Sequence, residues 1–267
     1  VKLAELHVYP LKSARGVSHE TVRVDRFGPE GDRRYMLVTP DGRFVTQRRM
    51  PKLALLGATL TDGGLDLRVD GRVRSVRTPD SDAQRLGVQV WGDTVPAAVA
   101  DDETSAWLSD FLETEVRLVH MPEDVRRPVD PDYAGADDTV GFADGFSFLL
   151  IGRASLDALN ERLPSPLPMN RFRPNLVVDG SEPFAEDGWK RIAIGDLTFD
   201  VVKPCARCTM TTVDQVSGRF DGPEPLKTMA EFRRIRYPHS NEVFFGQNLV
   251  HRGAGVLRVG DAIEVLA

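Results

Sequence analysis

Cysteine is nearly absent from this chain, lysine is scarce, and no long apolar run occurs. Only Cys205 and Cys208 carry thiols. They sit too close together to staple a fold, which excludes a secreted disulfide framework and leaves them a chemical job if they have one. No stretch approaches the roughly 18 consecutive apolar residues of a membrane helix, and the first residues lack the charged-then-apolar pattern of a secretory signal. The expectation is a cytoplasmic protein without a membrane partner. Lysine numbers six against 28 arginines, an imbalance that codon bias explains without a functional choice. The net charge of −6 and pI near 5.5 argue against a nucleic-acid partner, because phosphate recognition needs a basic surface. They leave room for a local basic pocket. With 41% hydrophobic and 28% charged residues over 267 positions, the composition is that of an ordinary globular protein able to bury a core without staples.

There is no internal repeat and no alternating βαβ series, so a doubly wound parallel sheet is not expected. The first hundred residues read as short strands, at Ala4 to Tyr9, Tyr35 to Val38 and Phe44 to Thr46. Turns are marked by Thr39-Pro40-Asp41-Gly42, Asp62-Gly63-Gly64, Asp70-Gly71 and Trp91-Gly92-Asp93; this is a β meander able to close into a barrel. Glu103 to Leu112 places Trp107, Leu108, Phe111 and Leu112 on one helical face. The stretch from Met121 to Gly145, rich in Pro, Asp and Gly, predicts a long loop between two halves. The second half predicts a helix from Ala154 to Leu163, a strand at Leu176 to Val178 and a hairpin of Ile192 to Ile194 with Leu197 to Val202. A helix from Pro225 to Arg236 follows, with closing strands near Val243 to Phe245, Val256 to Val259 and Ala262 to Leu266. The fold class is α+β, predominantly β and barrel-like, with a few peripheral helices.

Four chemistries compete for the segment Pro204-Cys205-Ala206-Arg207-Cys208-Thr209-Met210-Thr211-Thr212-Val213-Asp214. A thioredoxin-like dithiol needs a helix N-terminus behind its nucleophile, whereas the β-branched run after Cys208 favours a strand or extended loop. A structural zinc site needs four ligands; two would have to come from His7, His19, His120, His239 or His251, none of which has finger-like spacing. A single thiolate could bind a metal cofactor, with Arg207 favouring deprotonation. Two inert buried cysteines complete the set, and spacing alone does not choose among them.

In its surroundings the segment resembles the MOSC family, named for domains related to the C-terminal part of molybdenum-cofactor sulfurase. The resemblance runs nearly end to end. It rests on Tyr9-Pro10-Leu11-Lys12-Ser13-Ala14-Arg15-Gly16, Asp32-Arg33, Tyr35 to Val38, Gln47-Arg48 and Pro51. It continues through Phe142-Ala143-Asp144-Gly145, Ala154-Ser155-Leu156, Arg171-Phe172-Arg173-Pro174-Asn175, Glu224-Pro225-Leu226, Phe245-Gly246-Gln247-Asn248 and Val259-Gly260-Asp261. Each piece is short, and their order and spacing together carry the specificity. The resemblance implies an N-terminal β-barrel domain over 1–118 and a MOSC domain over 119–267. The members it suggests reduce N-hydroxylated compounds.

For such members the resemblance implies a molybdenum-pterin cofactor whose metal takes Cys208 as its protein ligand, Cys205 being no ligand. It also implies that Lys12, Ser13, Arg33, Arg173 and Asn175 hold the pterin and its phosphate. Cations and hydroxyls suit a terminal phosphate, and an amide suits a pterin edge. Asp214 reads as a turn acceptor rather than a proton relay. Two cysteines cannot supply the four-thiolate pattern of an appended iron–sulfur domain. The resemblance therefore implies a separate electron donor, a ferredoxin, flavoprotein or cytochrome-like protein, beside a small-molecule substrate. Two other functions stay open: a sulfur or pterin carrier with Cys208 as a persulfide, and a metal-free scaffold.

Overall fold

The computed structural model describes residues 1–237 and 240–267, so the candidate ligand His239 lies outside the described residues. Strands dominate, and three α-helices are present among the described residues: α1 (Asp102–Leu112), α2 (Arg153–Asn160) and α3 (Leu226–Phe232).

In the first half, turn chemistry sets the register. Asp62-Gly63 joins Gly57–Thr61 to Gly64–Val69, and Asp70-Gly71 joins that strand to Arg72–Arg77. Asp70 and Gly71 both adopt positive φ, 51° and 74°, the conformation a tight two-residue hairpin turn demands. Leu65, Leu67 and Val69 alternate inward while Asp66 and Arg68 alternate out, the period-2 pattern of a half-buried strand. Trp91-Gly92 closes a third hairpin, inside a four-stranded sheet ordered Tyr35–Val38, Arg117–His120, Asp93–Val99, Arg85–Val90. The turn at Thr39 to Gly42 forms as expected, but the strand expected at Phe44 to Thr46 is reduced to isolated bridges at Arg43 and Phe44. The chain turns away at Thr46, whose carbonyl accepts from the N–H groups of Arg49 and Met50. α1 starts at its cap, where the Asp101 carboxylate accepts from Thr104 N, and it buries Leu108, Phe111 and Leu112.

The second half is built on a nine-stranded sheet. Its path runs Val17–His19, Lys2–Val8, Leu176–Asp179, Phe148–Gly152, Ser240–Arg252, Leu197–Ala206, Arg191–Ile194, Ile263–Val265, with Arg234–Tyr237 paired to one end of the long Ser240 strand. Two of these strands come from the N-terminus, and Thr21–Asp25 pairs with Gly255–Arg258. The first 25 residues thus contribute strands to the sheets of the second half. Among the described residues one pair of these strands is parallel, Phe148–Gly152 with Leu176–Asp179, and α2 lies in its crossover.

Two helices are shorter than expected. α2 ends at Asn160, whose side-chain amide pairs with the backbone N–H and carbonyl of Leu167 and draws the chain back. α3 ends at Phe232, because Arg234–Tyr237 exchanges helical hydrogen bonds for a ladder with residues 240–243. The segment 121–145 is irregular apart from a bridge between Pro128 and Thr139, as expected of a long loop.

One packing detail sets a pH dependence. His120 packs tilted against Tyr35 with ring centroids 4.8 Å apart, and its Nδ1 has no partner among the described residues. Burial, aided by the Arg34 charge, pushes its imidazole down to about 4 from 6.5. Below pH 6.5 the unfolded chain therefore takes up a proton that the folded chain refuses, so stability present above pH 6.5 is lost as pH falls toward 4. Between pH 7 and 5 the parent should lose about 2 kcal/mol more than a His120→Phe variant in urea titrations. Equal losses would remove His120 from the account.

Candidate functional site

The six residues singled out in sequence, Lys12, Ser13, Arg33, Arg173, Asn175 and Cys208, line one cavity of about 130 Å³, or about 780 Å³ with its open mouth. Four chain segments converge there. Lys12 and Ser13 follow the first strand, with Lys12 N donating to Tyr35 O. Arg33 precedes Tyr35–Val38, its N donating to Tyr9 O. Arg173 and Asn175 occupy the connection from a 3₁₀ turn at Met169–Arg171 into Leu176–Asp179, and Cys208 follows Leu197–Ala206.

Ser13, Arg33 and Arg173 all have positive φ, 67°, 47° and 59°. A non-glycine residue there is strained by about 1–3 kcal/mol, and such strain concentrates where the surroundings over-determine a functional geometry. Nothing in the composition of these positions announces it, since none is Gly or Asn.

The lining is strongly cationic. Lys12, Arg33, Arg48, Arg171, Arg173 and Arg207 face one carboxylate, Asp144, although the whole chain is negative. Lys12 is buried; its Nζ donates to Phe142 O at 2.7 Å and Asp144 Oδ1 at 2.5 Å. Burial lowers its pKa from the usual lysine value, with Asp144 opposing. Arg33 donates to Asp32 Oδ2 at 2.5 Å and Asn175 Oδ1 at 3.2 Å. The Asn175 amide is fully engaged by the protein, its Nδ2 donating to His7 O and Asp32 Oδ1 and its Oδ1 also accepting from Leu149 N. Its place in the cavity wall is thus to fix Arg33 and Asp32. Arg173 donates to Ala14 O at 2.6 Å and has no carboxylate partner among the described residues; burial pushes its guanidinium down to about 10. Both Arg33 and Arg173 lie over the buried Tyr9 ring, at 4.6 and 4.3 Å.

The cysteines separate by partner. Arg207, expected beside Cys208, instead donates to Cys205 Sγ at 3.0 Å and to Phe172 O at 2.6 Å. The chain stays extended through Cys208, with Arg207 N still donating to Val243 O, so Arg207 shares a face with Cys205, two residues before it, and not with its neighbour Cys208. Arg48, stacked 4.5 Å over Trp91, is the cation at Cys208, with Nη1 3.7 Å from Sγ. Arg48 and Asp144 are site residues that sequence reasoning passed over. Both lay in motifs quoted for the family, but no pattern gave them a role. The chain after Cys208 is not extended as expected. It makes a 3₁₀ turn, Thr209–Thr212, because the Thr211 and Thr212 hydroxyls donate back to Cys208 O and Thr209 O, which offsets the cost of β-branched residues there.

Among the described residues no three His, Cys, Asp or Glu side chains converge as a metal cage. His7, His19, His120 and His251 lie away from the thiols, His7 bonded to Glu5 and Ser18, and His251 to Asp25 O. Asp214 accepts from the N–H groups of Ser217 and Val216 and from Arg171, and its carboxyl is held below the usual range first by the Ser217 bond. It is a turn acceptor. Buried nitrogens on Arg171 (Nε, Nη1), Arg173 (Nη2) and Arg207 (Nε) have no hydrogen-bond partner among the described residues. Unpaired buried donors are costly, and here they cluster on one wall.

Comparison with known proteins matches residues 1–115 to the MOSC N-terminal beta barrel domain and 137–264 to the MOSC domain. The mitochondrial amidoxime-reducing component 1 of Danio rerio is 34% identical over 272 residues, covering 98% of this chain and 83% of that protein. The Homo sapiens component 1 is 32% identical, covering 99% and 82%. The Rattus norvegicus component 2 is 33% identical, covering 98% and 82%. No helix among the described residues is long and apolar enough to cross a membrane.

Proposed function

The chain belongs to the MOSC family, joining a MOSC N-terminal β-barrel domain to a MOSC domain, and from that premise we propose that it is a molybdenum-pterin oxidoreductase. Its substrates are N-hydroxylated small molecules, and its electrons come from a separate redox protein. The observation that carries the proposal is the cavity: a thiol, Cys208, in a wall of six cations with unpartnered buried N–H groups. The donor set fits the cofactor. A thiolate is a soft ligand suited to such a metal, and guanidinium and ammonium groups suit a terminal phosphate.

Lys12, Ser13, Arg33 and Arg173 would hold the phosphate and pterin, Asn175 would keep Arg33 aimed, and Cys208 would supply the ligand sulfur. When bound, the cofactor supplies the two-electron chemistry by which an N–OH group, two electrons and two protons become N–H and water. The chain's remaining task is enclosure. Phe146, Phe148, Leu149, Phe172 and Met210 form the apolar part of the lining, which accepts the body of a small substrate and excludes water.

The parent, Cys208→Ser and Cys205→Ser proteins, made in a host competent for the pterin, should be assayed for molybdenum, zinc and released pterin. Near-stoichiometric molybdenum and pterin are expected in the parent and Cys205→Ser, with molybdenum lost from Cys208→Ser. Zinc without pterin, or labile sulfane sulfur on Cys208 without molybdenum, would overturn the assignment, the latter in favour of a sulfur carrier.

A further inference from the structure

Arg173 belongs to two cavities. Besides the site cavity it lines a second one of about 380 Å³, together with His7, Tyr9, Arg15, Met169, Gln215 and Val216 among others. No carboxylate lines this second cavity, and its two guanidiniums, Arg15 and Arg173, have no carboxylate partner among the described residues. Arg15 makes a single long side-chain hydrogen bond, to Gln215 O at 3.4 Å. Arg173 is 7% exposed, donates once through Nη1 to Ala14 O, and leaves Nη2 without a partner among the described residues.

Of the cations lining the site cavity, Lys12 is neutralised by Asp144, Arg33 by Asp32 and Arg171 by Asp214 and Asp221, whereas the half-buried Arg48 and Arg207 and the buried Arg173 have no carboxylate partner among the described residues; Arg15, on the other side of Arg173, is exposed. A buried charge without a counter-ion is costly, and an anion that reaches it recovers that cost. Gln215 cannot serve, because its amide is spent on Gln47 and Val213 O. The apolar share of the lining, Met169, Pro174, Val216 and the Tyr9 ring, gives room for more than a bare ion.

We propose that the cavity behind Arg173 is a second oxyanion site, taking the phosphoryl group of a small phosphate monoester between Arg15 and Arg173. Arg15 is the residue that belongs to this site alone, and Lys12 belongs to the first alone. The proposal depends on the reading of the first cavity only in that the two sites share Arg173.

Cofactor-free full-length protein should be titrated calorimetrically with inorganic phosphate and with phenyl phosphate, for the parent, Arg15→Gln and Lys12→Gln. Two saturable equivalents are expected in the parent. Arg15→Gln should weaken one of them at least about tenfold, the scale of one charge-assisted hydrogen bond, and leave molybdenum content of the loaded protein unchanged. Phenyl phosphate should bind the Arg15-dependent site more tightly than inorganic phosphate does. A single equivalent sensitive to Lys12→Gln and indifferent to Arg15→Gln overturns the second site and leaves the first-cavity reading intact. A single equivalent sensitive only to Arg15→Gln overturns the first-cavity reading instead. Weak uptake unchanged by either substitution shows ionic screening and overturns both.

Discussion

Replacing Arg127 with Ala should cost the fold about 3–5 kcal/mol, at about 1–3 kcal/mol for each carbonyl left without its donor. Arg127 is 4% exposed, and its guanidinium spends its N–H groups on four acceptors. Nε meets Asp93 Oδ2 at 2.7 Å; Nη1 meets Gly141 O at 3.0 Å and Ala143 O at 2.6 Å; Nη2 meets Asp144 O at 3.2 Å. Its backbone is tied to Thr139 and Val140 as well. The long loop has almost no regular structure of its own, so this one side chain stands in for a ladder and seats Phe142 O and Asp144 against Lys12. Arg127→Lys should recover less than half of the loss, because three donors on a flexible stem cannot reproduce a planar fork. Urea titration reads the stability. Limited proteolysis should show new cleavage between residues 121 and 145 in Arg127→Ala. An unfolding midpoint within error of the parent would mean that the loop is held by its other contacts.

How far the sequence discloses this molecule varies with the kind of signal. Turns were legible, because Asp-Gly pairs have few uses besides tight reversals. Strand identity around Tyr35 to Val38 and Leu176 to Val178 followed from β-branched and apolar runs. Helix ends were not legible. The stop of α2 at Asn160 and the conversion of residues 234–237 to a strand depend on partners far along the chain or across a hairpin, and tertiary pairing overrides local propensity. The entry of the first strand into the second-half sheet was invisible for the same reason. In the site, the six residues carried over from the family do meet at one cavity, yet their geometry could not be anticipated. Left-handed backbone at Ser13, Arg33 and Arg173 leaves no compositional mark. The choice between Arg48 and Arg207 as neighbour of Cys208 depends on a contact 160 residues apart in sequence, which local spacing does not encode.

Tyr9→Leu should empty the site of cofactor while Tyr9→Phe keeps it. The Tyr9 ring is a platform for the two guanidiniums proposed to hold the phosphate, Arg33 and Arg173, and desolvated contacts of this kind contribute about 2 kcal/mol each. The ring is itself seated closely: a Cβ on Gly16 would come within 2.4 Å of it, so Gly16 lets the backbone approach. Tyr9 N donates to Asp32 Oδ1, which binds the ring's position to the carboxylate that neutralises Arg33. Its hydroxyl donates to Pro174 O at 3.0 Å, one residue beyond Arg173. Burial raises that phenol to about 12, so it stays protonated and a donor at physiological pH. Phenylalanine loses only this bond, about 1 kcal/mol with some penalty for the bared carbonyl, and leaves the platform in place. Leucine removes the π face and leaves a void, a stability loss of about 2–4 kcal/mol, and frees both arginines to other rotamers. Molybdenum and pterin content should therefore fall at least about tenfold in Tyr9→Leu and less than about threefold in Tyr9→Phe, the larger figure matching loss of one such contact. Equal losses in the two variants would assign the effect to the hydroxyl rather than the ring. Full retention in Tyr9→Leu, in protein that still unfolds cooperatively, would show that Arg33 and Arg173 keep their aim without it.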